Sequence, residues 1–242
     1  MVRVKRPTDE NMQVAATLCA RDRSTVYEKL MNAISEHRLK PGTKLTEEKL
    51  ASIFKVSRTV VREALQQMAF ERVVEILPNR GAFIASPTIA EAKEFFQARR
   101  YVEVPILENI CQRVTAQEIK LLRQHVREEE QARHSGDRRK IVRLSGEFHV
   151  LLASLSGNRF LERTVRGLQL LTCLTILLYD TPTDVTCQHN EHKLLVDAIE
   201  ARDVVRAQKL MLDHLREIEN SLHLEESEEE EDLEEILLGT GN

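Results

Sequence analysis

The chain has 242 residues, of which 42% are hydrophobic and 31% charged, and its formal net charge at pH 7 is −4. These values are ordinary for a soluble globular protein of one large or two small domains. Aromatic residues make up only 4% and Trp is absent, which favours packed helices over a β-sandwich. The 4 cysteines are far apart and form no CxxC pair, which argues against a disulfide framework or a Cys-based zinc site and fits a reducing cytoplasm.

The sequence predicts neither a signal peptide nor a membrane span. No apolar segment follows the basic N-terminal residues, and the most apolar run, 168–178, is too short to cross a bilayer. We therefore expect a cytoplasmic protein. Charge is uneven, because residues 1–85 carry 15 basic and 10 acidic side chains whereas residues 225–235 are strongly acidic. A basic head is compatible with a polyanionic partner, although an excess of this size is common.

The N-terminal third predicts three short helices and a β-hairpin. Residues 1–23 are polar and are interpreted as a flexible arm or a loose helix. Helical periodicity begins at Ser24 and is expected to end near Pro41, and the next two helices are expected to begin after the N-caps Thr46 and Ser57. A β-branched run, 73–77, and a second apolar run, 82–85, then flank a turn. This order predicts a winged helix-turn-helix over residues 24–86.

Residues 87–224 predict six helices and no convincing strand. Thr88 and Thr115 each precede a Glu at the spacing of a capping box, and Pro105 is expected to kink the first of these helices. The prediction is a mainly α protein: a winged head of three helices plus a hairpin, and a C-terminal six-helix antiparallel bundle. The acidic tail, 225–242, is expected to be disordered.

The third predicted helix has the features of a DNA-recognition helix. Arg58, Thr59 and Arg62 lie opposite its apolar stripe, near its N-terminus, where side chains can reach base edges. Hydroxyl groups of Ser57 and Thr59 can hold phosphates together with the N-terminal amides. The alternative is a solvated helix face, but the order of a short helix, a turn, a polar-fronted helix and a hairpin favours DNA binding. Arg80 and Gly81, at the hairpin tip, suit a wing.

Residues 24–85 resemble the DNA-binding head of the GntR family. The resemblance rests on three segments: 39–45 (LKPGTKL), 56–65 (VSRTVVREAL) and 79–84 (NRGAFI). It implies that the positions matching Arg58, Thr59, Arg62 and Gly81 contact operator DNA. We add Lys44, Ser57 and Arg80 as expected contacts from the same segments. The second helix of the family usually offers an Arg to phosphate where this chain has Glu48.

Three histidines of the C-terminal region lie on apolar helix faces. They are His149, His192 and His214, and three imidazoles directed into one bundle could bind Zn²⁺, Ni²⁺ or a similar divalent metal. The alternative is three separate core histidines, each hydrogen-bonded to a neighbour, because sequence cannot show that they converge.

Residues 88–224 resemble the all-helical effector domain of the FadR branch of the GntR family, in its shorter, VanR-like subgroup. The resemblance rests on Arg99 with Glu103, and on the segments 148–149, 156–158, 191–192 and 214–215. It implies a metal site at the three histidines and an Arg99 that pairs with an effector carboxylate at the cavity mouth. The family places an Asp ligand where this chain has Ser145. The expected effector-binding residues are Arg99, Ser145, Asn158 and His189, and Arg99 has the alternative of an ordinary helix ion pair with Glu103.

The resulting prediction is a ligand-responsive transcription regulator, typically a repressor. We expect a C2 homodimer that binds double-stranded operator DNA and a small organic acid, without membrane association. One alternative is a metal-dependent hydrolase that uses the three histidines, but HExxH, nucleophile-elbow and P-loop motifs are absent, and we expect no enzymatic activity. The other is an architectural DNA-binding protein without an effector.

Overall fold

A computed structural model describes residues 9–179 and 190–224, with side chains from residue 22 onward. The predicted tail, 225–242, lies outside these residues. The head contains α1 (Asp9–Ser35), β1 (Lys44–Leu45), α2 (Glu47–Phe54), α3 (Arg58–Phe70), β2 (Val74–Leu77) and β3 (Gly81–Ile84). The body contains α4 (Ile89–Arg113), α5 (Ala116–His134), α6 (Arg138–Leu155), α7 (Arg159–Tyr179), α8 (Glu191–Glu200) and α9 (Val204–Ser221). The described residues thus form a mainly helical protein with a winged head and six body helices, as predicted.

Helix α1 differs from its prediction at both ends. It begins at Asp9, so residues 9–23, interpreted above as an arm or a loose helix, are continuous with the first helix of the head. It ends at Ser35 rather than near Pro41, because His37 takes a left-handed conformation with φ of 54°. The amides of Arg38 and Leu39 then bond back to the carbonyl of Ala33, which closes the helix in the usual C-terminal manner.

Local capping signals position most of the other helices. Thr88 and Thr115 form the predicted capping boxes, and Ser57 caps α3 by accepting a hydrogen bond from the amide of Val60. Thr46 occupies the predicted N-cap position of α2 but makes no side-chain capping bond. Helix α4 runs without a break from residue 89 to 113 and contains Pro105.

The wing is a three-stranded antiparallel sheet in the order β1-β3-β2. Lys44 lies opposite Phe83, and Leu77 lies opposite Gly81 at the hairpin tip. The head core continues into the body, because Leu170, Leu171 and Leu174 of α7 belong to the same buried cluster as the apolar faces of α1, α2 and α3. The head is therefore packed directly on α7.

The core of the body lies between α4, α5, α6, the first part of α7, α8 and α9, and its buried side chains are mostly Leu, Ile, Val and Ala. Within the part of the chain that the structure describes, no helix is both long and apolar enough to span a bilayer.

Candidate metal centre and nucleic-acid interface

The N-terminus of α3 presents its arginines to solvent. The side chains of Arg58 and Arg62 are 62% and 58% exposed, while the opposite face of the helix is buried in the head core. Thr59 is also exposed, and the Ser57 hydroxyl sits at the helix N-terminus, where it keeps its own proton for donation. The four predicted contact residues of this helix thus share one accessible end.

Both arginines are ion-paired with α2. Arg58 donates to Glu48 at 2.9 Å, and Arg62 donates through Nε and Nη2 to Glu47 at 2.8 and 2.6 Å. The hydrogen bond from Arg62 lowers the pKa of the Glu47 carboxyl below its ordinary value. Because these pairs are exposed, each is a weak bond that a phosphate can replace.

The wing gathers the other predicted DNA contacts. Lys44 Nζ and Arg80 Cζ both lie 5.7 Å from the ring centroid of Phe83, so two cations contact one partly exposed aromatic ring on the central strand of the sheet. Gly81 has φ of +99°, a conformation that side-chain-bearing residues rarely adopt, and it allows the turn to place Arg80 at the tip.

The three predicted histidines converge in the body. They come from α6, α8 and α9, and each is at most 3% exposed. His149 Nε2 lies 3.1 Å from His214 Nε2, and His192 Nε2 lies 3.4 Å from the same atom. One potential ligand atom from each ring falls within 4.8 Å of the other two. The structure therefore supports the convergence that sequence could not show.

Each imidazole is oriented by a carboxylate on its other nitrogen. His149 Nδ1 lies 2.6 Å from a Glu103 oxygen, His192 Nδ1 lies 2.9 Å from both oxygens of Glu129, and His214 Nδ1 lies 2.6 Å from a Glu191 oxygen. Ring stacking adds a further restraint, since Phe148 lies 4.0 Å from His192, centroid to centroid. Carboxylate partners of this kind fix the ring orientation and tautomer of metal-binding histidines.

The electrostatics place the protons on Nδ1. Burial would raise the pKa of Glu103, but the charge of Arg99 and the contact with His149 hold it well below its ordinary value. An ionised carboxylate only accepts hydrogen bonds, so His149 must donate from Nδ1. Burial lowers the pKa of His149 to about 3 and also lowers that of His214, which keeps these rings neutral at neutral pH.

The neutral rings of His149 and His214, with Nδ1 facing a carboxylate, direct unshared Nε2 electron pairs at each other, so their 3.1 Å contact is not a hydrogen bond. A cation that both nitrogens bind would relieve this contact, and His192 Nε2 lies 3.4 Å from His214 Nε2 on the same cluster. Two nitrogens bound to one tetrahedral Zn²⁺ at about 2.0–2.1 Å are roughly 3.3 Å apart, which matches these separations. The donor set thus fits a divalent metal on three nitrogen ligands.

Arg99 is placed differently from the expectation. It is fully buried rather than at a cavity mouth, and its guanidinium donates to Glu103 at 2.6 Å and contacts the Thr172 hydroxyl at 3.5 Å. The structure thus contains the i,i+4 ion pair with Glu103, and a contact between Arg99 and the effector stays a prediction. Since Glu103 in turn accepts from His149, Arg99 acts on the histidine cluster through this carboxylate.

The remaining predicted effector residues are dispersed. Ser145 is half-buried, one turn before His149 on α6. Asn158 is exposed and caps α7 by accepting from the amides of Phe160 and Leu161, so it does not join the histidines. His189 lies outside the described residues.

Sequence reasoning missed Glu129, the partner of His192. It is 1% exposed and lies seven residues after buried Leu122 on the inner face of α5. An acidic residue in phase with the apolar stripe of a helix is a usable signal, because a buried charge needs a partner. That spacing alone would have marked Glu129 as a candidate partner for a buried histidine.

The fold and the site together define a two-domain transcription regulator that carries a histidine-lined effector domain. Residues 22–84 match the family described as "Bacterial regulatory proteins, gntR family", and residues 94–217 match the FCD domain, which is half of the chain. The chain belongs to the GntR family of bacterial regulators and has the FCD effector domain consistent with its FadR branch.

Individual relatives agree with this assignment. The chain is 28% identical over 207 residues to the HTH-type transcriptional regulator YdhC of Bacillus subtilis, covering 84% of this chain and 92% of YdhC. It is 23% identical over 198 residues to the HTH-type transcriptional repressor RspR of Escherichia coli, covering 81% and 87%. The solved structure of E. coli McbR/YncC matches with a TM-score of 0.71 and 19% identity, over 81% of this chain and 93% of that one. The domains and relatives are those of regulators, not enzymes.

Proposed function

We propose that this protein is a homodimeric repressor that responds to a small organic acid through a divalent metal bound at the histidine cluster. The observation that carries the proposal is the convergence of His149, His192 and His214 through their Nε2 atoms, with a carboxylate on each Nδ1. That RspR is named a repressor supports the direction of regulation.

The DNA interface in this proposal is the exposed end of α3 together with the wing. Arg58, Thr59 and Arg62 read base edges and phosphates, Ser57 holds a phosphate at the helix N-terminus, and Lys44, Arg80 and Gly81 approach the adjoining backbone or minor groove. Two heads related by a two-fold axis would read a pseudo-palindromic operator.

The metal in this proposal is Zn²⁺ or Ni²⁺, held by the three histidines. It would supply a Lewis-acidic centre with positions left open for oxygen donors. The family's Asp ligand is Ser145 here, so all three protein ligands are neutral imidazoles, and the bound ion keeps more of its positive charge. An anionic oxygen donor is the ligand that such a centre favours, which supports a carboxylate effector.

Metal binding is tested by elemental analysis of the purified protein and by titration calorimetry after chelation. We expect about one Zn²⁺ or Ni²⁺ per chain, lost in His149→Ala. His134→Ala is the matched control, because His134 is an exposed histidine that bonds only its own helix carbonyl. Equal metal content in the two variants would refute the assignment of this centre.

DNA binding is tested by a mobility shift on the DNA upstream of the gene. Arg62→Ala should abolish the shift while its circular dichroism stays unchanged, whereas Arg139→Ala, which removes one positive charge from the body surface, should bind like wild type. Candidate carboxylic acids should release the DNA from wild type but not from the chelated protein. An architectural DNA-binding protein without an effector would also lose the shift in Arg62→Ala, but it would bind equally with and without the acids and the chelator.

A further inference from the structure

A cavity lies between the head and the body, away from the histidine cluster. Its volume is about 460 Å³, within the usual range for small-molecule sites. Helix α1 of the head forms one wall, and α6 and α7 of the body form the opposite one. A molecule bound there would touch both domains at once.

The inner wall of the cavity is mainly apolar. It is formed by Met31 from the head and by Val150, Leu151 and Leu170 from the body. Met31 and Leu170 belong to the buried cluster that joins the two domains. A hydrocarbon or aromatic body therefore suits this wall.

One polar atom in the wall lacks a partner. The side-chain oxygen of Gln169 is buried, and no described group bonds to it. Gly146 on α6 makes room for this amide, since a Cβ at position 146 would lie only 2.7 Å from the Gln169 nitrogen. A buried carbonyl oxygen without a donor is costly, so rotation of the Gln169 amide toward the cavity is favoured when a ligand brings an O–H or N–H group for it to accept from.

The charged groups at the rim do not favour an anionic ligand, because acidic side chains balance the cations. Arg143 is paired with Glu147 at 2.9 Å and Arg166 with Glu162 at 3.2 Å, so each of these two cations already has its counter-charge. Glu28 adds a further acidic side chain to the lining. The rim is therefore balanced or slightly negative.

The rear of the cavity approaches the histidine centre. His125 lines it, and His125 Nε2 lies 3.6 Å from Glu129, the carboxylate that bonds His192. The two sites are thus separate but share a wall in α5.

From these contacts we propose that the cavity between α1, α6 and α7 binds a compact, largely apolar molecule that carries one O–H or N–H donor and no negative charge. This ligand class differs from the organic acid of the proposed metal centre. The site lies where the DNA-binding head meets the body, so its occupancy changes how firmly the two are packed together.

The proposal is tested by titration calorimetry of the full-length protein with probes that share a phenylethyl body. We expect 2-phenylethanol and 2-phenylethylamine to bind saturably with Kd values of the order of 1 mM, as suits molecules of this size. Phenylacetate should bind at least about tenfold more weakly, because the rim offers it no unpaired cation. Equal affinity for all three probes, or saturable binding of none, would overturn the proposal.

Variants locate the site. Leu151→Trp should fill the cavity and abolish binding of 2-phenylethanol, whereas Leu121→Trp, on the exposed face of α5, should leave it unchanged. Gln169→Leu should remove the preference for 2-phenylethanol over its methyl ether without weakening the ether. Gln169→Glu should keep the acceptor and strengthen binding of the amine.

The two sites are distinguished with His149→Ala, which should retain binding of 2-phenylethanol even when it holds no metal. Loss of probe binding in this variant would place the probe at the histidine centre and refute a second site. Folding of each variant is checked by its melting curve, and persistence of probe binding in folded Leu151→Trp would likewise refute the site.

Discussion

Replacement of Arg99 by Met tests whether this residue is structural or contacts the effector. Arg99 and Glu103 are 0% and 1% exposed, and their side chains are joined at 2.6 Å. Methionine has a similar length but leaves the Glu103 charge buried without its main partner. Removing one partner of a buried ion pair costs about 3–5 kcal/mol. For a chain of this size each kcal/mol lowers Tm by about 2–4 °C, so we expect a decrease of roughly 6–20 °C.

The assay is thermal unfolding of metal-saturated protein at pH 7, followed by circular dichroism. The double variant Arg99→Met/Glu103→Gln should recover at least half of the loss, because it removes the buried charge while the amide oxygen introduced at position 103 can still accept a hydrogen bond from His149. Arg166→Met is the control, since Arg166 makes an exposed i,i+4 pair with Glu162 that contributes less than about 1 kcal/mol.

A result that contradicts this reasoning is an Arg99→Met protein as stable as wild type. If that variant also failed to release DNA with the organic acid, Arg99 would be an effector ligand, as the family resemblance implies. The structure instead leads us to expect that stability and metal affinity fall together, because Arg99 reaches His149 through Glu103.

Three further predictions concern single residues. Glu48→Gln should increase DNA affinity about two- to fivefold at low salt in fluorescence anisotropy, because it releases Arg58 and removes a negative charge from the interface; an unchanged affinity would contradict this. Ser145→Asp should increase Zn²⁺ affinity by at least about tenfold in calorimetry, because it adds a carboxylate one turn before His149; weaker binding would show that position 145 cannot reach the metal. Burial, followed by the charge of Arg138, lowers the pKa of His37 from 6.5 to about 4. As the pH falls, His37 is therefore protonated in the unfolded state before it is protonated in the folded state, and the free energy of unfolding should decline between pH 6.5 and 4. His37→Asn, which also tolerates the left-handed conformation, should reduce that decline, as measured by urea unfolding at a series of pH values. The full pKa shift corresponds to about 3 kcal/mol of unfolding free energy, and this is an upper limit because the ring is partly exposed.

The sequence by itself determined the local elements and the exposed arginine face of the head. Helical periodicity, the Ser57 cap and the capping boxes at Thr88 and Thr115 depend on residues within a turn of one another, so they can be read before folding is known. The same is true of the exposed arginine face of α3, since its orientation follows from the apolar stripe behind it. The early end of α1 was not predicted, because it depends on the left-handed conformation of His37. Histidine at a position does not by itself indicate that conformation.

Only the tertiary structure decided how distant side chains meet. His149 and His214 are 65 residues apart, and their Nε2 atoms come within 3.1 Å only because α6 and α9 pack in one bundle. Packing also buries Arg99 against Glu103 and brings Glu129 into contact with His192. It leaves the side-chain oxygen of Gln169, between head and body, without a hydrogen-bond partner among the described groups. A sequence pattern specifies which face of a helix is buried, but the partner across that face is set by the packing of the whole chain.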